Sequence, residues 1–205
     1  MENNQGVRTD QKSVADKKAA RVNARLLLSN ISAAQREEFS QKAAFAFLNS
    51  SAYNNASCLA AFFSLPDEVD TLPVIARAFA DKKRLLMPRI VPGSNAMEFY
   101  ELQDLDAQTE TNGWGIREPL ATLPLVQKKD FPADSVVLVP GLAFAKDGRR
   151  LGRGKGFYDR YLSELLAANP AFAAHGKICG YCMAVQVADF VPTQENDVLM
   201  QELFC

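Results

Sequence analysis

The chain has 205 residues, a formal net charge of −1 and an apolar fraction of 48%. This length suits one domain, or one domain with a small appendage, and allows a sizeable core. The near-neutral charge argues against a general nucleic-acid-binding protein, which normally carries a clear basic excess. The polar N-terminal segment lacks the apolar core of a signal peptide, and no apolar run approaches the ~20 residues of a transmembrane helix. We therefore expect a cytoplasmic protein.

The helices and strands predicted from residue patterns alternate along the chain. Residues 1–13 are predicted to be disordered, and apolar residues at helical spacing predict a helix over residues 14–29. Ser32 and Gln35 form a capping box that begins a second helix, which runs to about residue 50. The later predictions are, in order, a strand at 58–63, a helix at 72–81, strands at 84–90, 97–102 and 136–144, a helix from about 157 and a strand at 177–187. This alternation predicts one α/β domain over residues 14–205, with a largely parallel sheet between two helix layers.

The cysteines and the single histidine limit the chemistry open to the chain. Cys179 and Cys182 lie three residues apart on a predicted strand, so their side chains point to opposite faces and cannot easily share one ion or form a disulfide. We interpret these two and Cys58 as buried strand cysteines, and Cys205 as exposed. His175 is predicted to lie in a loop after a helix and to be exposed, which disfavours Ser-His-Asp or Cys-His catalysis.

The segment RRLGRGKGFYD, residues 149–159, directly follows the predicted strand at 136–144. Ligands of open α/β sheets bind beyond the carboxyl ends of the strands. Alternate glycines let the backbone approach a ligand closely, and their amides can bind an anion together with the start of the next helix. Arg150, Arg153 and Lys155 could neutralise phosphate oxygens, and Asp159 could hold a magnesium ion. The segment fits neither a P-loop nor a dinucleotide fingerprint. It predicts a phosphate site, and the alternative is a solvated turn with incidental cations.

Together with the segments around it, this motif resembles the 5-formyltetrahydrofolate cyclo-ligase family. The hallmark is VPGLAFAKDGRRLGRGKGFYDRYL, at residues 139–162. Further similar segments occur in order: the helix with Lys17 and Arg21, FFSLPDEVDT (62–71), MPRI (87–90), NGWGIREP (112–119) and VPTQEND (191–197). The resemblance implies a three-layer fold similar to that of certain isomerases and CoA transferases. It also implies that ATP and Mg²⁺ drive conversion of 5-formyltetrahydrofolate to 5,10-methenyltetrahydrofolate, through a phosphorylated formyl group, with release of ADP and phosphate.

The resemblance assigns the site residues as well. The implied catalytic residues are Arg153, Lys155 and Tyr158. The implied ATP-binding residues are Lys17, Arg21, Arg150, Leu151, Gly152, Arg153, Gly154, Lys155, Gly156, Phe157 and Tyr158. The implied folate-binding residues are Phe63, Glu68, Trp114, Arg153, Gly154, Lys155, Gly156 and Phe157, and the implied magnesium ligands are Asp159 and Asp197. The chain departs from the family pattern at Ala145, where an acid is frequent, at Phe157, where Tyr is frequent, and at Asn196, where His is more common.

One feature supports these assignments physically, and two other functions remain open. Lys17 and Arg21 lie four residues apart and so share one helix face, as two groups that reach one polyphosphate should. A sugar-phosphate isomerase or CoA-transferase-like enzyme would explain the phosphate loop but would leave Trp114, Lys17 and Asp197 without a role. A nucleic-acid-binding module would use the RGRGKGFY segment for phosphate contacts and base stacking. The expected partners are ATP and 5-formyltetrahydrofolate, without nucleic acid or membrane, and a monomer is expected.

Overall fold

The computed structural model of the protein describes residues 4–113 and 115–205, with side chains from residue 16 onward. The helices are α1 (Asn4–Ser29), α2 (Ala33–Leu48), α3 (Ser51–Asn54), α4 (Leu72–Ala80), α5 (Phe157–Ala168) and α6 (Pro170–His175). The strands are β1 (Cys58–Ala60), β2 (Arg84–Ile90), β3 (Met97–Leu102), β4 (Thr109–Thr111), β5 (Arg117–Pro119), β6 (Leu125–Val126), β7 (Val136–Val139), β8 (Ala143–Ala145), β9 (Arg150–Leu151), β10 (Lys177–Tyr181), β11 (Val187–Ala188) and β12 (Glu202–Phe204). Within the described part of the chain, no helix combines the length and apolar character that a membrane crossing requires.

A seven-stranded sheet forms the centre of the molecule, in the order β12-β10-β7-β1-β2-β3-β6. The first five strands are parallel, and β3 and β6 add antiparallel pairs at one edge. Strand β7 shows why the sheet is central, because all four of its residues are buried. A strand that is apolar on both faces needs a layer on each side.

Alternate residues of β7 enter two different hydrophobic cores. Val136 and Leu138 pack on one side with side chains of α2, α3 and α4, whereas Val137 and Val139 pack on the other side with α5 and α6. Cys179 lies in the first core and Cys182 in the second, so the prediction that they point to opposite faces is confirmed. The helix–sheet–helix arrangement confirms the predicted α/β fold class.

Several predicted elements match the structure closely, and the differences have local causes. Strands β2 and β3 have the predicted bounds, and the Ser32–Gln35 capping box is formed at the start of α2. The prediction that His175 lies in a loop is wrong, because it is the last residue of α6, although it is exposed as expected. Asn169 caps this short helix by accepting from the Phe172 amide, a signal that the apolar pattern does not carry.

Helix α1 begins at Asn4 and therefore includes residues 4–13, which the sequence analysis predicts to be disordered. That prediction relied on the missing apolar pattern. An existing helix can be extended by any residues that tolerate helical dihedrals, since elongation is cheaper than nucleation. Residues 1–3 of the predicted disordered segment lie outside the described residues. The division into an extension and a domain from residue 14 stays a prediction.

The predicted strand at 136–144 is two strands. Pro140 lacks an amide hydrogen and follows β7 directly, and the chain then forms β8, which pairs antiparallel with β9. Arg150 and Leu151 therefore belong to a strand rather than to a loop, and we call residues 152–156 the glycine loop. Between β8 and β9 the chain turns at Gly148, which has a φ of +89°. This small hairpin delivers the glycine loop to the start of α5.

Gly148 generates a stability prediction. A Cβ built there would lie 2.3 Å from the carbonyl oxygen of Met200, whereas a Cβ at Gly93, with a φ of +73°, would meet nothing within 4 Å. Both alanine variants experience the left-handed backbone penalty of about 1–2 kcal/mol, but only Gly148→Ala adds a steric clash with backbone. We expect Gly148→Ala to lower the free energy of unfolding by about 3 kcal/mol or more, measured by chemical denaturation. Equal losses in Gly148→Ala and Gly93→Ala would show that the Met200 contact imposes no constraint.

Candidate active site

The glycine loop connects β9 to α5 in a conformation that its glycines permit. Gly154 has a φ of +107° and Gly156 a φ of +66°, values that residues with a Cβ rarely adopt. Gly156 is also the N-cap of α5, and no side chain caps this helix end. The first amides of α5 therefore point into the site without a side-chain acceptor, which favours a negatively charged ligand there.

Residues of the glycine loop line two cavities. We call the larger one, of about 560 Å³, the polar cavity; its walls include Lys17, Arg21, Gly152, Gly154, Asp159 and Asp197. We call the smaller one, of about 300 Å³, the apolar cavity; its walls include Phe62, Phe63, Ile90, Met97, Ile116 and Phe157. Arg150, Gly152, Gly156 and Asp159 border both cavities. The loop and its flanking ion pair therefore separate a polar chamber from an apolar one.

In the polar cavity, Lys17 is bound to a carboxylate far away in the sequence. Its ammonium Nζ lies 2.5 Å from Oδ2 and 2.8 Å from Oδ1 of Asp197, and it also donates to Gln194 Oε1 at 3.2 Å. The Lys17 side chain is 6% exposed and that of Asp197 15%. An ion pair this buried is tightly coupled, because loss of one partner leaves the other charge without hydration. The contact fixes the segment at 191–201 against α1.

A second ion pair joins the two ends of the glycine loop. Arg150 Nη2 donates to Asp159 Oδ2 at 2.8 Å, and Arg150 Nη1 donates to the carbonyl oxygen of Pro140 at 3.1 Å. The Arg150 Nε atom is buried and has no hydrogen-bond partner. Since buried donors without acceptors are rare, this atom marks a position where a ligand acceptor would be favourable.

In the apolar cavity, Glu68 is buried beside Arg153. Its Oε2 accepts from the Leu65 amide at 3.0 Å, and its Oε1 accepts from Arg153 Nε at 3.0 Å. Arg153 also binds Asp67 at 2.6 Å. Burial raises the pKa of the Glu68 carboxyl above its usual value, and this effect outweighs the lowering by Arg153 and the Leu65 amide. The result is a buried acid with remaining acceptor positions on the wall of an apolar chamber.

Tyr158 adds a polar atom without a partner to the same chamber. Its hydroxyl group is buried and has no hydrogen-bond partner among the described residues. Burial, followed by the nearby Glu68 carboxylate, raises the pKa of Tyr158, so the phenol stays protonated at neutral pH. The neutral hydroxyl can both donate to and accept from a bound molecule.

The oxygen groups of the polar cavity suit a magnesium ion. Asp159, Asp197, Gln194 and Asn196 line it together, and Mg²⁺ prefers oxygen ligands. Within the described residues no three carboxylate, thiol or imidazole groups form a complete metal cluster. This arrangement resembles sites where one or two carboxylates and substrate phosphates share the ion, with water completing the octahedron. Both carboxylates are engaged by Lys17 and Arg150, so binding of the ion would change these contacts.

The residues predicted to bind ATP divide between the cavities. Those that line the polar cavity are Lys17, Arg21, Arg150, Leu151, Gly152, Gly154 and Gly156. Those that line the apolar cavity instead are Arg153, Lys155, Phe157 and Tyr158. Of the residues predicted to bind folate, Phe63, Glu68, Arg153, Lys155, Gly156 and Phe157 line the apolar cavity, whereas Gly154 faces the polar one. Trp114 lies outside the described residues.

The site also contains residues that the predictions from sequence do not include. Arg160 lines the polar cavity and donates to the carbonyl oxygens of Lys155 and Asn95, both at 2.6 Å. Arg117 and Glu118 line the apolar cavity, and the Arg117 guanidinium lies 4.9 Å from the centre of the Phe63 ring. Both belong to the NGWGIREP segment (112–119), from which the resemblance assigns only Trp114 to the site.

Of the residues that depart from the family pattern, Asn196 lines a cavity and Ala145 does not. Ala145 is fully buried in β8 and does not line either cavity. The carboxyl group that is frequent at this position in the family is therefore missing from this chain. Asn196 lines the polar cavity and supplies an amide where an imidazole is more common.

Several known proteins are similar to this chain. A model of the 5-formyltetrahydrofolate cyclo-ligase family matches residues 13–205. The 5-formyltetrahydrofolate cyclo-ligase of Mus musculus is 31% identical over 157 residues, which cover 74% of this chain and 74% of that protein. The cyclo-ligase of Escherichia coli strain K12 is 29% identical over 170 residues, covering 80% of this chain and 86% of that one.

A solved structure shows the same fold. The NMR structure of 5,10-methenyltetrahydrofolate synthetase from Aquifex aeolicus superposes with a TM-score of 0.73 at 26% identity, covering 91% of this chain and 88% of that one. With the family match over almost the whole sequence, the conclusion is direct: the chain belongs to the 5-formyltetrahydrofolate cyclo-ligase family.

Proposed function

We propose that the chain closes 5-formyltetrahydrofolate to 5,10-methenyltetrahydrofolate and hydrolyses ATP to ADP and phosphate in the process. The observation that carries this proposal is the glycine loop, which borders a polar and an apolar cavity at once. A reaction that moves a phosphoryl group from a nucleotide to a folate needs both molecules at one wall. The relatives named as cyclo-ligases and synthetase supply the reaction class.

The polar cavity is the proposed site of the ATP phosphates. Lys17 and Arg21 reach it from one face of α1, and Arg21 Nε holds the loop by donating to the Gly152 carbonyl oxygen at 3.0 Å. The loop amides and the start of α5 add partial positive charge. When bound, Mg²⁺ would neutralise phosphate oxygens, with Asp159 and Asp197 as its protein ligands. Release of Lys17 from Asp197 would let its ammonium group pair with a phosphate.

The apolar cavity is the proposed site of the folate ring system. Phe63, Met97 and Ile116 offer flat or flexible apolar contact to a pterin, and Glu68 can accept hydrogen bonds from its amino and ring N–H groups. Trp114 stays a predicted folate-binding residue. The buried Tyr158 hydroxyl and the exposed Lys155 ammonium lie on the loop side of this cavity, where the formyl group would meet the nucleotide.

The chemistry explains why the two chambers adjoin. An N-formyl oxygen is a poor leaving group, so it first attacks the γ-phosphorus of ATP; the new O–P bond forms as the bond to ADP breaks. N10 of the folate then attacks the activated carbon, and phosphate leaves with the former formyl oxygen. The protein supplies positioning and cations for the developing charge and needs no nucleophile of its own. Arg153, Lys155 and Tyr158 are the proposed catalytic residues because they line the folate side of the loop.

The proposal extends to the state of the chain in the cell. A monomeric enzyme stays a prediction from the sequence. Four unbridged cysteines suit a reducing compartment, which supports a cytoplasmic location.

Lys155 provides the first test of the proposal. Purified protein is mixed with MgATP and 5-formyltetrahydrofolate, and the near-ultraviolet absorbance of methenyltetrahydrofolate is followed. We expect a rise that needs both ATP and Mg²⁺. Lys155→Ala should lower kcat/KM by about 100-fold or more, because a cation at the transferred phosphoryl group is lost.

Lys146→Ala is the matched control, since this lysine is also exposed but lies in the β8–β9 turn and lines neither cavity. It should retain wild-type rates. A folded protein that binds ATP but produces no methenyltetrahydrofolate would keep the phosphate site and refute the folate reaction.

The Lys17–Asp197 ion pair generates a prediction about stability and nucleotide affinity. Lys17→Met and Asp197→Asn should each lower the free energy of unfolding by roughly 2–4 kcal/mol, because each leaves a buried charge unpaired. The Lys17→Met/Asp197→Asn double variant should lose less than the sum, as a double-mutant cycle by chemical denaturation would show. Both single variants should also bind MgATP more weakly by calorimetry. Additive losses would mean that the two residues act independently.

Glu68 generates a prediction about pH. The folded-state pKa is raised above the usual 4.5, so the acid contributes stability at low pH that is lost as pH rises above 4.5 and through the folded pKa. Glu68→Gln removes this titration. The melting temperature of Glu68→Gln relative to wild type should therefore increase from pH 4.5 toward neutral pH, measured by calorimetry. A difference that does not change with pH would contradict the raised pKa.

A further inference from the structure

Cys182 and Cys205 occupy paired positions just beyond two neighbouring strands. In the parallel pair β10–β12, Tyr181 is in register with Phe204. The pairing continues one residue further, since the Cys182 amide donates to the Phe204 carbonyl oxygen at 3.0 Å. Cys182 is therefore the direct neighbour of Cys205 across the strands.

The two thiols meet in a geometry compatible with a bond. Neighbouring strands lie about 4.8 Å apart and paired residues of parallel strands point to the same face. Disulfides need Cα atoms about 4.4–6.8 Å apart, which this spacing satisfies. The side chains already contact each other, because the Cys182 and Cys205 thiols are hydrogen-bonded.

The pair combines one accessible thiol with one protected thiol. Cys205 is exposed, whereas Cys182 is buried in the core that contains Phe144 and Met200. An oxidant can therefore reach Cys205 first, and Cys182 lies next to it as a second thiol. Cys58 and Cys179 are both buried, and they lack such an exposed neighbour.

The pKa values of the four thiols also distinguish Cys205 from the other three. The hydrogen bond from Cys182 lowers the pKa of Cys205 to about 6, while the same contact and burial raise the pKa of Cys182. The charge of the Cys205 thiolate raises the pKa of Cys182 further. Burial raises the pKa of Cys58 to about 11 and that of Cys179 to about 12. Only Cys205 thus has substantial thiolate character at neutral pH, and the thiolate is the nucleophile in thiol oxidation.

We propose that Cys182 and Cys205 are a redox modification site that forms a reversible intramolecular disulfide on exposure to a peroxide. The Cys205 thiolate attacks one peroxide oxygen, which breaks the O–O bond and gives a sulfenic acid and, after protonation, water. Cys182 sulfur then attacks the sulfenic sulfur, and the S–S bond forms as a second water leaves. The two thiols together lose two electrons and two protons, and hydrogen peroxide is reduced to two waters. A dithiol reductant restores both thiols.

The bridge would close the chain between residues 182 and 205. That stretch includes Asp197, which binds Lys17 in the polar cavity, and it ends on β12, at the edge of the sheet. Oxidation would therefore attach covalently an edge strand that hydrogen bonds and packing alone hold in the reduced protein. The inference does not depend on the proposed reaction, since it uses only thiols that line neither cavity.

The test treats the full-length native protein with hydrogen peroxide, then denatures it and alkylates the remaining thiols with N-ethylmaleimide. Intact mass should show two alkylated cysteines instead of four and a loss of two hydrogens, which dithiothreitol reverses. Peptide mapping should connect Cys182 to Cys205. A product with all four thiols intact, a bridge between other cysteines, or a disulfide between two chains would overturn the proposal.

Variants separate the roles of the two thiols. Cys182→Ser and Cys205→Ser should each abolish the bridge, and Cys182→Ser should let dimedone capture a sulfenic acid at Cys205. Cys179→Ala is the control and should still form the bridge between Cys182 and Cys205. In the untreated protein, alkylation of Cys205 should rise with a midpoint near pH 6, and Cys182→Ala should move that midpoint upward, because the stabilising donor is lost. An unchanged midpoint would refute the thiol contact without relying on bridge formation.

Discussion

The candidate site depends on the guanidinium of Arg150. This one group binds the carbonyl oxygen at the end of β7 and the Asp159 carboxylate in the first turn of α5, and it is itself part of β9. Three elements are thereby joined at one buried cation. The glycine loop spans the gap between two of them, and position 152 has little room for a side chain because a Cβ there would lie 2.9 Å from Arg150 Nη1. The loop is thus flanked on both sides by residues that this one cation binds or belongs to, and a well-positioned loop suits an oriented phosphoryl transfer.

The segments that carry this site were predictable from sequence, but their internal geometry was not. The bounds of β2 and β3 follow from alternating and apolar patterns, and the phosphate loop follows from its glycines and cations. The β8–β9 hairpin was missed because a continuous apolar run from Val136 to Phe144 resembles one strand, although Pro140 interrupts it. Strand β12 was missed because three residues at a sheet edge carry too little pattern. Short strands are stabilised by tertiary pairing, which a local pattern does not encode.

The pairing of charges is the part of the site that sequence reasoning could not reach. Lys17 and Asp197 are separated by 180 positions, and either one alone resembles an ordinary surface residue. The fold brings them together in the polar cavity, where each charge reduces the desolvation cost of the other. The charges of Arg150 and Asp159 reduce each other's desolvation cost in the same way.

The cations and carboxylates that would bind phosphates and Mg²⁺ therefore neutralise one another without ligand. MgATP carries both signs of charge, so it can replace each ion pair by two new ones. Phosphate alone would leave the carboxylates unpaired, and Mg²⁺ alone would leave the cations unpaired. This charge balance favours the joint entry of metal and nucleotide.

In the proposed reaction, the order of residues along the glycine loop accounts for the direction of phosphoryl transfer. Gly154 borders the polar cavity alone, and Gly152 and Gly156 border both cavities, whereas Arg153 and Lys155 border the apolar cavity alone. Glycine backbone therefore lines the proposed nucleotide chamber, where a close approach without side chains is useful. The cationic side chains line the proposed folate chamber, which in the proposed reaction places them at the destination of the phosphoryl group rather than at its origin. A cation at the destination gains interaction energy as negative charge arrives there, and such a difference between ground state and transition state is what accelerates a reaction. Arg153 is further held by Asp67 and Glu68, which leaves Lys155, the exposed cation of the loop, as the group most able to follow the moving charge.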